Sequence, residues 1–325
     1  MSKSISVIIP NYNGKKLLEK NLPFLFKALE FSTIDYEIII PDDASKDDSV
    51  EFLKKNYPQI ILIAGDKNLG FAGNCNRGIF KAGKDLIFLL NTDVKLTQNY
   101  FEHLLPYFND ETVFGVMGAL TTESTGELQD GAKYPKWKGA QLNFTLNYRF
   151  KESKPALSLF LSGANALVDR KKIQAIGGFN ELFNPFYFED AELGLRSWRM
   201  GWKNYFEPRA IGYHEISSTI KKFNQRKKIK ITARRNKFIL HDLHLEGNGR
   251  AKWKREILIS YLTRWLTGDF SWYTALREYK MRNAEIEKSR NEMQMLMKNA
   301  AATYTMQEVS GIILEGIGER EVEEF

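Results

Sequence analysis

The chain has 325 residues, a net charge of +7 and a single cysteine, Cys75. That length can bury a full core and carry an appendage, the lone cysteine excludes an internal disulfide framework and fits a reducing cytosol, and four histidines with one cysteine offer no zinc-site spacing. No apolar stretch is long enough to span a bilayer and no charged segment precedes an apolar signal region, so a cytoplasmic protein, free or seated at the inner face of the membrane, is expected.

In chain order, three apolar strands each stop at polar residues and give way to a helical pattern. Ser6-Val7-Ile8-Ile9 breaks at Pro10-Asn11-Tyr12-Asn13-Gly14, and a helix is predicted over 15–31. Tyr36 to Ile40 is a second strand, ending in Pro41-Asp42-Asp43-Ala44-Ser45 before another helix. Lys67 to Gly78 is a glycine- and asparagine-rich turn that opens a helix, where backbone N–H groups can meet an anion. Cys75 lies inside it, and burial as a small packing residue is the preferred reading over reactivity. Leu86-Ile87-Phe88-Leu89-Leu90 is a continuous apolar run, the pattern of a strand buried on both faces of a parallel sheet, and it stops at Asn91-Thr92-Asp93. Three such units imply a βαβαβ sheet with one shared ligand edge. Ligands of open α/β sheets bind beyond the carboxyl ends of the strands, where Asp93 would stand. A carboxylate there can hold Mg²⁺ or Mn²⁺ against a diphosphate; the alternative is a turn residue capping the next helix.

Leu120 to Pro155 reads as loops with short strands or helix, suited to a lid or an acceptor wall. Ser162-Gly163-Ala164-Asn165-Ala166 leads into another core strand and is expected to line the ligand edge. The aromatic turn Asn184 to Phe188 precedes a helix that starts with Glu189-Asp190, where carboxylates serve as caps or face a site. Glu192 and Arg196 on that helix have the spacing of a plain ion pair. The positive charge concentrates in Lys221, Lys222, Arg226, Lys227, Lys228, Lys230, Arg234, Arg235 and Lys237. Such a run is a solvated helix face or a phosphate contact. No zinc-finger, RNA-recognition or helix-turn-helix signature accompanies it, so nucleic acid is set aside.

The character changes near Gly249, which divides the chain into a catalytic domain, 1–248, and a helical C-terminal extension, 249–325. Trp253, Ile257, Leu258, Tyr261, Leu262, Trp265 and Leu266 recur at helical spacing opposite Lys254, Arg255, Ser260 and Arg264, which predicts an amphipathic helix with a basic face. Such a helix makes a peripheral membrane contact, or packs on the catalytic part or on a second subunit of a homo-oligomer. A charged, Met-containing helix follows over 279–298, and the acidic end, 315–325, is expected to fray.

Taken together, Ser6–Gly14, Asp42-Asp43-Ala44-Ser45-Lys46-Asp47, the Asn68–Gly78 turn, Asn91-Thr92-Asp93, Gly177-Gly178-Phe179, Phe188-Glu189-Asp190-Ala191-Glu192-Leu193-Gly194-Leu195-Arg196 and His214 resemble an inverting family 2 glycosyltransferase, over roughly the first 240 residues and in the family's order. The subgroup it is most similar to holds rhamnosyltransferase-like enzymes of bacterial surface polysaccharides. The resemblance implies an α/β protein of GT-A (nucleotide-diphospho-sugar transferase) fold, with a mostly parallel central sheet flanked by helices. It further implies an enzyme that takes a nucleoside-diphosphate sugar donor and a glycan or lipid-linked acceptor, with a divalent metal cofactor, Mn²⁺ or Mg²⁺.

By motif position Asp43 accepts a hydrogen bond from the nucleobase, with Asp42 as the alternative that supports the turn. Pro10, Asn11 and Tyr12 line the same pocket; Lys67, Asn68, Asn74, Asn91 and Thr92 belong with the nucleotide contacts, although a structural turn also explains Asn74. Asp93 is the metal ligand. Asn91 replaces the first carboxylate of the usual Asp-x-Asp, and an amide supplies no charge. His214, in Tyr213-His214-Glu215-Ile216-Ser217-Ser218, matches a histidine that completes the metal site or is a buried structural residue; imidazole suits Mn²⁺ better than Mg²⁺. Asp190 is assigned as general base on the acceptor hydroxyl, supported by Glu189. Arg234 and Arg235 match an Arg-Asn element and are assigned an acceptor or phosphate contact. A glycosidase with two carboxylates would not account for the nucleotide-binding edge. A nucleotidyltransferase lacks its glycine-rich basic loop here, since Ser6–Gly14 has one glycine. The expected function is inverting sugar transfer from a UDP- or dTDP-sugar; the second reading is an inactive nucleotide-sugar-binding or scaffolding subunit.

Overall fold

A computed structural model describes residues 3–214, 226–300 and 303–325 of the chain. Lys221, Lys222 and the Glu215-Ile216-Ser217-Ser218 part of the histidine motif lie outside the described residues.

The first half alternates strands and helices: β1 (Ile5–Ile8), α1 (Lys15–Phe31), β2 (Tyr36–Asp42), α2 (Ser49–Asn56), β3 (Ile61–Ala64), α3 (Gly70–Lys81) and β4 (Leu86–Leu90). β1 pairs in parallel with β2 and β4, and β2 with β3. The three strand ends foreseen from the sequence therefore share one edge. Continuous apolar runs occur because both faces are covered. Ile8, Ile39, Ile87 and Leu89 face one core, while Val7, Ile38, Ile40, Leu86, Phe88 and Leu90 face another, which α1 closes with Leu18, Leu22, Leu25 and Leu29. Gly78 permits the close approach of α3 to β1, since a Cβ there would lie 2.6 Å from Ile8 Cγ2.

The sheet continues past β4 through β5 (Val94–Leu96), β6 (Val113–Thr121), β7 (Leu128–Asp130), β12 (Ala156–Leu157), β13 (Asn165–Asp169) and β14 (Lys203–His214). Among the described residues it has ten strands, with the path β12-β14-β6-β13-β4-β1-β2-β3; β5 pairs with β14 and β7 with β6. β13 runs antiparallel to β4 and β6. Two short helices, α4 (Tyr100–Leu104) and α5 (Arg170–Ala175), and the longer α6 (Glu189–Arg199) complete this part. Between β7 and β12 lie the short strands β8 (Ala132–Lys133), β9 (Lys136–Lys138), β10 (Gln141–Asn143) and β11 (Asn147–Phe150), as the irregular 120–155 segment foreshadowed.

The C-terminal part is α7 (Arg226–His244), α8 (Gly247–Thr263), α9 (Phe270–Met281), α10 (Asn283–Lys298), α11 (Met306–Ile317) and β15 (Val322–Glu324). It shares a hydrophobic core with the sheet: Trp253, Ala275, Met306 and Ile313 join the cluster that holds Trp198 and Phe206. The acidic end does not fray. β15 pairs antiparallel with β11, and Glu321, Glu323 and Glu324 meet Lys151, Arg149 and Lys136 at 2.7, 2.7 and 3.0 Å. The single amphipathic stripe expected over 253–266 is split as well. Trp253 is 1% exposed against the core, whereas Leu258, Leu262, Trp265 and Leu266 point away from it.

Candidate active site

The nucleotide side is organised by paired carboxylates with different duties. Asp42 Oδ2 accepts from Asn11 Nδ2 (2.7 Å) and Ser45 Oγ (2.6 Å), and its Oδ1 from the Ser45 N–H (2.9 Å). Asp42 is thus the turn-supporting residue. Asp43 reaches across to the start of α3, where its two oxygens accept the N–H groups of Leu69 (2.7 Å) and Gly70 (3.1 Å). Burial pushes its carboxyl up, and those two N–H groups and Arg77 pull it back. Gly70 takes φ +76°, and a Cβ there would meet Asn184 Oδ1 at 2.9 Å, so the turn and the 184–185 loop lie against each other.

Asn11 is 1% exposed, held by Asp42 and Ser45, and Asn74 is 2% exposed, with its Nδ2 donating to Pro41 O (2.8 Å). Both brace strand ends rather than face open space. Pro10 and Tyr12 are half-buried beside them, while Lys67 and Asn68 are exposed, Asn68 bonding to Asp43 O and Gly70 N–H. Asn91 N–H donates to Ala164 O (3.0 Å) and Thr92 O accepts from Asn21 (2.8 Å), which ties the β4 end to the 162–166 loop and to α1.

Asp93 and His214 meet because β5 and β14 pair with His214 opposite Val94. His214 Nε2 lies 3.5 Å from Asp93 Oδ2. On the other side of the ring, Nδ1 lies 2.9 Å from Gln129 Oε1. The Gln129 orientation is assigned from its network, since its Nε2 donates to Thr122 Oγ1 (2.6 Å) and His214 O (3.1 Å). An oxygen at Nδ1 requires the proton there, which leaves Nε2 facing the carboxylate. Asp93 raises the pKa of His214 against the opposing pull of burial. Among the described residues no group of three or more His, Cys, Asp or Glu side chains stands ready for a metal ion. The donor set here is one carboxylate and one oriented imidazole, which fits a cation completed by diphosphate oxygens and water.

Glu189 and Asp190 open α6 after two residues with left-handed backbone, Tyr187 (φ 72°) and Phe188 (φ 73°). Asp190 Oδ1 accepts the N–H of Ala191 (2.7 Å), one of the free N–H groups of the helix's first turn. Glu189 is 9% exposed and its Oε2 has no hydrogen-bond partner among the described residues. Burial pushes both carboxyls up, and in Glu189 the charge of Asp190 adds to it; Lys133 and the Ala191 N–H pull Asp190 down. The loop ahead of the pair is pinned by Asn236 of α7, whose Nδ2 donates to the carbonyls of Phe183, Phe186 and Tyr187 at 2.6, 3.0 and 2.8 Å.

Three residues the sequence reading passed over join the halves. Gln129 orients His214; the charge of Asp130 raises both the His214 imidazole and the Asp190 carboxyl; Lys133, paired with Asp130 and 8% exposed, pulls the Asp190 carboxyl down. They lie in β7 and β8, in a segment with no periodicity to mark them. Glu192 and Arg196 form the foreseen ion pair at 2.8 Å, and it is buried, with His244 3.6 Å from Glu192. Arg234 is not directed at the site: it pairs with Asp269 at 2.6 Å and bonds to Ser271. Arg235 donates to Asn184 O (2.6 Å), bracing the same loop as Asn236. Cys75 is buried, and burial lifts its thiol well above the ordinary range, with the charges of Glu189 and Asp43 adding to it, so it is an inert packing residue.

The sequence profile described as "Glycosyl transferase family 2" matches residues 6–177. An N-acetylglucosaminyl-diphospho-decaprenol L-rhamnosyltransferase of Mycobacterium tuberculosis is 25% identical over 247 residues, 67% of this chain and 78% of that protein. A GalNAc(5)-diNAcBac-PP-undecaprenol beta-1,3-glucosyltransferase of Campylobacter jejuni is 27% identical over 225 residues, 68% of this chain and 65% of that protein. In fold, GalNAc-T7 solved with UDP, GalNAc and Mn²⁺ superposes with a TM-score of 0.66 at 13% identity, covering 97% of this chain and 57% of that one. The mannosyltransferase PcManGT of Pyrobaculum calidifontis, solved with GDP-Man and Mn²⁺, gives 0.54 at 13% identity, covering 99% and 89%. The chain has the GT-A fold.

Proposed function

The chain belongs to glycosyl transferase family 2, and from that premise we propose that it transfers a sugar, with inversion, from a nucleoside-diphosphate donor to a hydroxyl of a lipid-linked or polymeric glycan during bacterial surface-polysaccharide synthesis. The observation that carries this reading is the Asp93–His214 pair at the strand-end edge, with a second carboxylate pair, Glu189–Asp190, at the start of α6. Similarity to transferases named for decaprenol- and undecaprenol-linked substrates supports the acceptor class.

In this reading the Leu69–Gly70 turn, braced by Asp43, receives the nucleotide, and Pro10 and Tyr12 border its base. Asp93 and His214 would hold Mn²⁺ or Mg²⁺, with Mn²⁺ preferred for the imidazole; the cation's contribution is to neutralise the leaving diphosphate. Asp190 takes the proton of the acceptor hydroxyl, which attacks the anomeric carbon from the face opposite the diphosphate. A UDP- or dTDP-sugar is the favoured donor.

Calorimetric titration with UDP, dTDP, GDP and CMP, with and without Mn²⁺, tests the donor site. Metal-enhanced binding of one diphosphate is expected. Failure of every nucleotide to bind under either condition would favour a subunit without catalysis.

A further inference from the structure

Apolar side chains that soluble proteins leave exposed are ordinarily scattered singly. Here thirteen large ones are more than a third exposed among the described residues, and seven fall between positions 258 and 270. Leu262, Trp265, Leu266 and Phe270 are each 62–70% exposed. They occupy the tip of a helical hairpin: α8 ends in a short 3-10 turn at Arg264–Thr267, Gly268 reverses the chain at φ +65°, and α9 starts at Phe270.

The tip is built, not frayed. Trp265 Nε1 donates to Leu262 O (2.9 Å), and Tyr273 on α9 donates to Tyr261 O (2.9 Å) with their rings 5.5 Å apart. Asp269 at the turn accepts Arg234 (2.6 Å) and Lys230 (3.4 Å), which clamps the hairpin against α7. Its apolar crown is therefore held outward by packed and ion-paired residues beneath it.

Exposed positive charge lies along the two helices next to this crown. Lys252, Lys254 and Arg255 are exposed on α8, and Lys227, Lys228 and Lys230 are exposed on the adjoining turn of α7. Lys227 and Lys228, with Arg235, Pro185 and Glu278, line an open groove of about 430 Å³ beside the hairpin. No helix among the described residues is long and apolar enough to cross a membrane. An apolar knob with Trp and Tyr in a lysine- and arginine-rich surround is complementary to the boundary between anionic headgroups and acyl chains, and to neither alone.

We propose that the 258–270 hairpin tip docks the protein on an anionic lipid bilayer, with Trp265, Leu266 and Phe270 entering the acyl boundary and the α7 and α8 lysines meeting lipid phosphates. The inference stands on the surface and not on the donor chemistry. It deepens the acceptor reading in one respect: α7 runs from the docking face to Asn236, which pins the loop ahead of Asp190. Docking would present the acceptor side of the site to lipid-linked substrates.

Flotation of the full chain with vesicles of phosphatidylcholine, alone or mixed with phosphatidylglycerol, tests this. The native chain should float with the anionic vesicles. The triple variant Trp265→Ser, Leu266→Ser, Phe270→Ser should bind them on the order of tenfold less or weaker, with unchanged circular dichroism because the side chains are exposed. Lys254→Glu with Arg255→Glu should abolish the preference for anionic over neutral vesicles. Native protein that ignores both vesicles, or a triple variant that floats as well as the native chain, overturns the proposal. So does a native dimer in light scattering that the triple variant converts to monomer while vesicles stay unbound, since the tip would then be a self-association face. Nucleotide binding by the triple variant should remain native, which keeps this result separate from failure of the donor site.

Discussion

His214 Nε2 stands 3.5 Å from Asp93 Oδ2, while Gln129 Oε1 lies 2.9 Å from the other ring nitrogen. The glutamine selects which nitrogen faces the carboxylate, so the cation affinity proposed for the pair would depend on a residue outside the donor set. Gln129→Leu should lower Mn²⁺ affinity in the presence of nucleotide by roughly tenfold or more. Binding of the nucleotide without metal should change little. Calorimetry measures both, and an unaltered Mn²⁺ affinity would remove Gln129 from this role.

Asp190→Asn keeps the size and removes the proposed base. Transfer should fall by about a hundredfold or more, with the nucleotide dissociation constant preserved within error. Retention of normal turnover would assign the base elsewhere.

The Asp190 carboxyl is raised chiefly by burial and pulled down by Lys133. The base acts deprotonated, so the rate should climb with pH along a limb lying above the ordinary aspartate value of 3.8. Lys133→Met removes the cation and should move that limb to higher pH. A limb that stays in place, or moves to lower pH, contradicts the assignment.

Glu189 costs stability when ionised, because its Oε2 is buried without a hydrogen-bond partner among the described residues. Its folded pKa is raised above the ordinary 4.5 by burial and then by Asp190. A raised carboxyl contributes stability below the ordinary value and loses it as pH rises through the folded value. Glu189→Gln should therefore be more stable than the native chain at pH 8, by on the order of 2 kcal/mol, with the advantage gone near pH 4. Urea unfolding at the two pH values decides it; a variant no more stable at pH 8 counts against a buried charge at Glu189.

Asn236 satisfies three carbonyls of the loop before Asp190. Asn236→Ala leaves them without that donor and should cost about 2–3 kcal/mol of stability. It should also lower kcat several-fold with the nucleotide affinity intact, since the loop and not the α3 turn loosens. Equal losses in kcat and nucleotide affinity would mean the whole site had collapsed.

Much of this was readable from local pattern. Each core strand announces itself by an apolar run, and each ends where a polar residue stops it: Asn11 after β1, Asp42 at the end of β2, Asn91 after β4. Periodicity of two, or burial on both faces, is written into consecutive residues, so it survives without a structure. The same holds for the Gly70 turn and for the Glu189-Asp190 helix start, both of which are local backbone features. Turn support by Asp42 was among the readings of the sequence, but the reach of Asp43 to the start of α3 was not readable, because it lies in which partner the side chain meets.

The sequence by itself determined the strand–helix order, the shared ligand edge and the carboxylates available to it, because short-range sterics and hydrophobic pattern act between neighbours along the chain. Tertiary structure alone decided which residues meet. His214 reaches Asp93 only through the β5–β14 register, the charges of Lys133 and Asp130 act on Asp190 from a segment without periodicity, and Arg234 is drawn off to Asp269. It also decided that the acidic end becomes β15 and that half of one apolar stripe faces outward. Those outcomes depend on contacts between residues far apart in the chain, whose free energy exists only once the sheet has closed around them.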